Sequence, residues 1–117
     1  MIKFARRKRR NRNFRQRKNG ITPGLSIVSV HTRPVPEQVR IFFSGAVAWN
    51  GVDMPGSFKA DTSDGPLDGC INVLAVGANY IEVEFNGSVS AGANWAVDGP
   101  LAGVSPAIAW PQAGVVS

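Results

Sequence analysis

The sequence is short of the residues that do chemistry. It contains one cysteine, Cys70, and one histidine, His31. A single cysteine excludes an internal disulfide framework, and together with a single histidine it cannot supply the ligand set of a zinc site. Long apolar runs are also missing. The longest mostly apolar stretches, INVLAV and LAGVSPAIAW, fall far short of the ~18 residues a membrane-spanning helix needs. No G-x-x-x-x-G-K or G-x-G-x-x-G run is available to cradle phosphates. The basic start followed by GITPGLSIVSV does not read as an export signal, because Pro23, Gly24 and the interspersed serines and threonines interrupt any apolar leader core.

Two further shortages are local, and they divide the chain. The segment Lys3 to Lys18, KFARRKRRNRNFRQRK, holds ten Lys or Arg residues and no acid, glycine or proline. All 13 Gly and all 8 Pro of the chain come after residue 19. Beyond Lys18 the only cations are Arg33, Arg40 and Lys59, against eight acids. Residues 1–18 therefore carry +10 and residues 19–117 carry −5, a contrast hidden by the overall +5. The reading that follows is a basic arm over 1–18, a turn-rich hinge over 19–24 (NGITPG) and a body over 25–117.

The body is long enough for one modest hydrophobic core. Its Gly and Pro density favours short elements joined by tight turns. LSIVSV (25–30) and VRIFF (39–43) read as strands, with HTRPVPE between them as an extended, edge-like crossing. Asn50-Gly51 lies between two short apolar runs and predicts a hairpin. PGSFKADTSDGPLDG reads as a long polar loop with a short strand near Phe58, and INVLAV (71–76) as an inner strand. In YIEVEF, Ile81, Val83 and Phe85 alternate with Tyr80, Glu82 and Glu84, the pattern of a half-buried antiparallel strand. Asn86-Gly87 then predicts a reversal into a strand from Val89 to Val97, with Gly92 at a bulge. A last strand ends at Trp110. The expected fold is all-β, a small antiparallel β-sandwich or barrel of about seven or eight short strands behind the basic arm.

The body's candidate chemistry has bland readings. Cys70 reads as a small buried apolar residue. His31 has no nucleophile or carboxylate placed beside it by a motif, so no catalytic constellation is expected and the chain is not read as an enzyme. Asp61, Asp64 and Asp68 lack the alternating spacing of a calcium loop and read as turn formers. Glu82 and Glu84 share a face and read as a solvated outer surface, or one that meets a basic partner. No metal or cofactor is expected. Trp49 and Trp95 are expected in the core, whereas Trp110 and the tail after it have little to hold them and are placed at a surface or on a neighbour.

The arm is the one segment whose composition names a partner. Lys3, Arg6, Arg7, Lys8, Arg9, Arg10, Arg12, Arg15, Arg17 and Lys18 release condensed counterions when they meet phosphates, and arginine also forks two hydrogen bonds onto phosphate oxygens. Phe4 and Phe14 can stack on exposed bases. The segment resembles the arginine-rich motifs of RNA-binding proteins and the basic N-terminal arms of virus coat proteins. Arm, hinge and small acidic β body together resemble icosahedral capsid proteins. The resemblance implies a structural component of a virus or phage particle in a minor capsid, cement or vertex role. Its partners would be other capsid proteins, further copies of the chain, and DNA or RNA held by the arm, with an anionic membrane surface as another polyanion. Localisation in the virion follows. The alternative is a cytoplasmic RNA-binding accessory protein of the ribosome-associated kind.

Overall fold

The computed structural model describes residues 23–117. The arm, residues 1–18, and the hinge up to residue 22 lie outside the described residues. Ten strands follow one another and no helix occurs among the described residues. They are β1 (Ile27–Thr32), β2 (Gln38–Phe43), β3 (Ala48–Trp49), β4 (Phe58–Thr62) and β5 (Gly65–Gly69), then β6 (Asn72–Val76), β7 (Tyr80–Glu84), β8 (Asn94–Val97), β9 (Val104–Ser105) and β10 (Gln112–Val115). They form two four-stranded antiparallel sheets, ordered β1-β2-β7-β6 and β10-β8-β4-β5, with β3 and β9 paired as a two-stranded ribbon. The protein is all-β, with eight strands in the two main sheets and one core shared between them.

Alternation builds that core. On β2, Val39, Ile41 and Phe43 point inward, and on β7 Ile81 and Val83 do the same, followed by Phe85. β1 breaks strict alternation, because Ile27 and Val30 are both buried although three residues apart. The register of β1 on β2 slips between Ile27 and Ser29, so the extra residue Val28 is pushed outward and the inward parity resets behind it. From the second sheet Phe58, Ala60, Trp95 and Val97 face the same interior. Phe58 ties the layers together, with its ring 6.2 Å from Phe85 and 5.9 Å, stacked, from Trp95.

One side of the sandwich is closed by the chain's end. Thr32 N–H donates to the Ser117 carbonyl and Ser117 N–H to that of Val30, joining β1 to the segment just beyond β10. Gln112 reinforces this seam: its side-chain oxygen accepts from Ile27 N–H at 2.9 Å and its amide donates to the Ala109 carbonyl at 2.6 Å. The C-terminal residues thus form an integral strand, with Val116 buried, and not a tail draped on a neighbour. Gly114 allows it, because the Trp95 ring lies where a side chain would stand: an added Cβ would sit 2.7 Å from the ring.

Several local expectations are corrected. Within HTRPVPE, His31 and Thr32 complete β1 and residues 33–37 are the loop of the β1–β2 hairpin, with Gln38 N–H donating to the Val35 carbonyl. Asn50-Gly51 does turn the chain, and Gly51 has φ +80, but no hairpin forms. Asn50 Oδ1 accepts from Val52 and Asp53 N–H, curling the chain on itself, and β3 pairs instead with distant β9. The polar loop after Pro55 contains the β4–β5 hairpin. INVLAV is an edge strand, not an inner one. Asn86-Gly87 carries the chain from one sheet to the other, so β8 does not pair with β7 and begins only at Asn94. The last strand starts after Trp110.

Candidate functional site

All the residues assigned to polyanion contact, Lys3, Phe4, Arg6, Arg7, Lys8, Arg9, Arg10, Arg12, Phe14, Arg15, Arg17 and Lys18, lie outside the described residues. The structure describes the body that carries them and the state of every charge on it.

Two of the body's three cations converge on one carboxylate. Arg40 on β2 and Glu82 on β7 are register partners across adjacent strands, both on the outward face because their neighbours Val39, Ile41, Ile81 and Val83 point in. Arg40 Nη2 donates to Glu82 Oε2 at 3.0 Å. Arg33, just past β1, brings Nε within 3.0 Å of Oε1. That N–H is angled away from the oxygen, so the contact is an ion pair without a directed hydrogen bond, and the Nε groups of Arg33 and Arg40 have no hydrogen-bond partner among the described residues. The two guanidinium groups roof the carboxylate, leaving Glu82 only 9% exposed. The expected solvated face at Glu82 is therefore a covered ion cluster, while Glu84 stays half-buried.

Aromatic rings extend the cluster over the same face. The Arg40 guanidinium carbon lies 4.2 Å from the centre of the Tyr80 ring, a cation–π contact. Phe42 packs at a tilt on Tyr80, and His31 meets Phe42 edge-on at 5.6 Å. His31 Nε2 lies 3.0 Å from Ser29 Oγ, two positions along the same strand, and His31 touches no carboxylate by hydrogen bond or ion pair among the described residues. A serine–histidine contact without an acid to orient the ring is an incomplete constellation.

The third cation, Lys59, donates to Asp98 at 2.7 Å. That ammonium, hydrogen-bonded to the carboxylate, holds Asp98 below the usual carboxylate range. Every cation of the described body is thus paired. Six acids, Glu37, Asp53, Asp61, Asp64, Asp68 and Glu84, have no ion pair among the described residues. Several of them organise turns: Asp61 accepts from Leu67 N–H and Asn94 Nδ2, Asp68 from the Thr62 hydroxyl, and Asp53 from Asn50 Nδ2. No group of three or more His, Cys, Asp or Glu side chains is arranged to hold a metal ion among the described residues.

Cys70 is buried, donates to the Pro55 carbonyl at 3.3 Å, and has its pKa pushed up to about 12 by burial, the reverse of a reactive thiol. Trp95 is in the core. Trp49 is half-buried, with its indole N–H on the Asp53 carbonyl, and Trp110 is half-buried against the core.

Sequence reasoning missed the Arg33–Glu82–Arg40 cluster, although its signal is visible afterwards: Arg40 and Glu82 each hold the outward parity of a strongly alternating strand. No family model matches the chain, and the search of curated proteins returned no match.

Proposed function

We propose that the chain is a structural component of a virus or bacteriophage particle, in a minor capsid, cement or vertex role, whose arm over residues 3–18 contacts packaged nucleic acid. The observation that carries the reading is the state of the charges on the body. Arg33, Arg40 and Lys59 are each committed to a carboxylate at 2.7–3.0 Å, and six further acids are unpaired among the described residues. A polyanion gains little from such a surface and is repelled by much of it. The ten cations of the arm are the chain's remaining means of meeting phosphate. The opposite signs also make one copy's arm attractive to another copy's body, which favours assembly of many copies around a nucleic acid.

Retention on immobilised single-stranded and duplex nucleic acid tests the reading. The full chain is expected to be retained and a chain lacking residues 1–18 to flow through. Equal retention of both would refute arm-mediated binding. Copy number in the native particle tests the particle assignment: many symmetric copies are expected, and one copy per ribonucleoprotein particle would make the chain an RNA-binding accessory protein instead.

A further inference from the structure

The point where the arm joins the body and most of the unpaired acids lie at opposite ends of the sandwich. The junction is fixed in place. Leu25 N–H donates to the Ala107 carbonyl at 3.0 Å and the Leu25 carbonyl accepts from Ala109 N–H at 2.9 Å, a parallel bridge to Ile108. Ser44 N–H donates to the Ser26 carbonyl, so the chain enters β1 beside the segment that leaves β2. Phe43 N–H donates to the Asn79 carbonyl and Val47 N–H to that of Ala78, which brings the β6–β7 turn to the same end. This root end is built from segments 23–26, 44–47, 77–79 and 107–109. None of them contains a charged residue.

The strands run from there to an end of different character. Phe85 N–H donates to the Glu37 carbonyl and Val89 N–H to that of Pro36, while Ser63 N–H donates to the Ser88 carbonyl and Ser88 N–H to Ser63 Oγ. The β1–β2 loop, the crossing at 85–89 and the β4–β5 turn therefore meet. Five of the six acids without an ion pair among the described residues lie on or beside these segments. Glu37 is in the loop, Glu84 ends β7, Asp64 is in the turn, and Asp61 and Asp68 flank it on β4 and β5. Arg33, the cation of this end, is committed to Glu82. The sixth acid, Asp53, follows β3 on the root side, where Asp98 is paired with Lys59. β2 alone separates the two ends by about 17 Å at ~3.4 Å per residue.

Covalent reach and charge act in the same direction. Lys18, the last cation of the arm, precedes Pro23 by five residues, and five residues span at most about 18 Å in any conformation. A phosphate met by Lys18 is thus tethered close to the root end. Swinging the other end toward the same polyanion would bring five carboxylates against it.

We propose that the body faces nucleic acid with its root end: the uncharged segments 44–47, 77–79 and 107–109 turn toward the polyphosphate, and the acidic end points away. This inference rests on the arm-mediated binding proposed above and adds the face that the body presents to that partner. The root end supplies no cation of its own, so it lies beside the phosphates without holding them. A lysine placed there would find a phosphate within reach. One placed at the acidic end would not.

Matched pairs of lysines test the orientation through the salt dependence of duplex DNA affinity, measured on the full chain. Ala46 and Ala78 are exposed at the root end, Val35 and Ser90 at the acidic end, and every exchange adds one positive charge. Ala46→Lys with Ala78→Lys is expected to steepen the slope of log affinity against log salt by roughly 2, at about 0.9 for each phosphate met. Each single root-end exchange should supply about half of that change, so the reading does not hang on one variant. Val35→Lys with Ser90→Lys, equal in added charge, should leave the slope within about 0.5 of wild type. All of these side chains are exposed, and the variants should keep the wild-type circular dichroism. Equal steepening from the two pairs, a larger effect from the acidic end, or no steepening from the root end would each overturn the orientation while leaving arm-mediated binding intact. A wild-type chain that fails to bind nucleic acid would overturn the arm reading, and the orientation with it.

Discussion

Replacing Glu82 with glutamine removes one charge and almost no volume, yet it should be among the more costly outward-face substitutions in the protein. In the native arrangement two guanidinium groups flank one carboxylate at 3.0 Å each. Each contact has a gross attraction of about 4 kcal/mol at an effective dielectric of ~20 and 4 Å between charge centres. Desolvation offsets much of that. In Glu82→Gln the attraction is lost and two like charges face each other over a neutral amide. Breaking a fully buried ion pair by removing one partner costs roughly 3–5 kcal/mol. Because the Arg33 and Arg40 side chains are 33% and 25% exposed, solvent screens part of the loss, and about 2 kcal/mol is expected. For a domain of this size that corresponds to a fall in melting temperature of roughly 8–16 °C. Urea unfolding at neutral pH measures the free energy directly. Arg40→Ala in the Glu82→Gln background should cost less than Arg40→Ala alone, because the second change removes a charge already stranded. A Glu82→Gln variant within about 0.5 kcal/mol of wild type would refute the reasoning and make the cluster an incidental surface contact.

Other outcomes follow from the core. Phe85→Ala, which removes a ring 1% exposed and packed on Phe58, should cost on the order of 3–5 kcal/mol in urea unfolding; a near-neutral result would mean that the two sheets do not share this core. Gly114→Val places a branched side chain against the Trp95 ring and should destabilise by roughly 1–3 kcal/mol, with an altered near-ultraviolet tryptophan signal, whereas an unperturbed signal would place β10 elsewhere. Cys70 should resist thiol reagents at pH 8 in the native protein and react on unfolding. Burial pushes its folded pKa up to about 12, above the ordinary thiol value of 9.0, so the folded state binds the extra proton between those values. Stability from this group is complete below pH ~9 and is lost as pH rises toward ~12, and Cys70→Ala should lose less stability over that window than wild type does.

How far the fold could be read depended on which interactions leave a local trace. β7 was legible because Ile81, Val83 and Phe85 alternate with Tyr80, Glu82 and Glu84, and β2 because Val39, Ile41 and Phe43 alternate with Gln38, Arg40 and Phe42 in a run rich in β-branched and aromatic residues. The all-β class followed from such segments and from the Gly and Pro density. Partners were less legible than strands. Asn50-Gly51 and Asn86-Gly87 specify a reversal of the backbone but not what the chain meets afterwards. In one case Asn50 captures the next N–H groups itself, and in the other the chain crosses to the opposite sheet. β5, with sequence GPLDG, looks nothing like a strand by propensity and forms because β4 offers it a register. β6 looked internal because apolar residues stand on both of its faces, whereas it has one neighbour, β7, and carries a bulge. The polyanion contact proposed for the arm rests on composition alone, whereas the Arg33–Glu82–Arg40 cluster needed the β2–β7 register that brings residues 40 and 82 together.

In the proposed function, polyanion contact belongs to residues 3–18 and not to the body. The salt dependence of nucleic-acid affinity for the full chain tests it most directly. If six to ten of the ten arm cations meet phosphates, the logarithm of the association constant on duplex DNA should fall against log salt with a slope of roughly −5 to −9. The affinity loss between about 50 and 200 mM salt should then be on the order of 10³ to 10⁵. A flat response, or an equal slope from a chain lacking residues 1–18, would contradict the account.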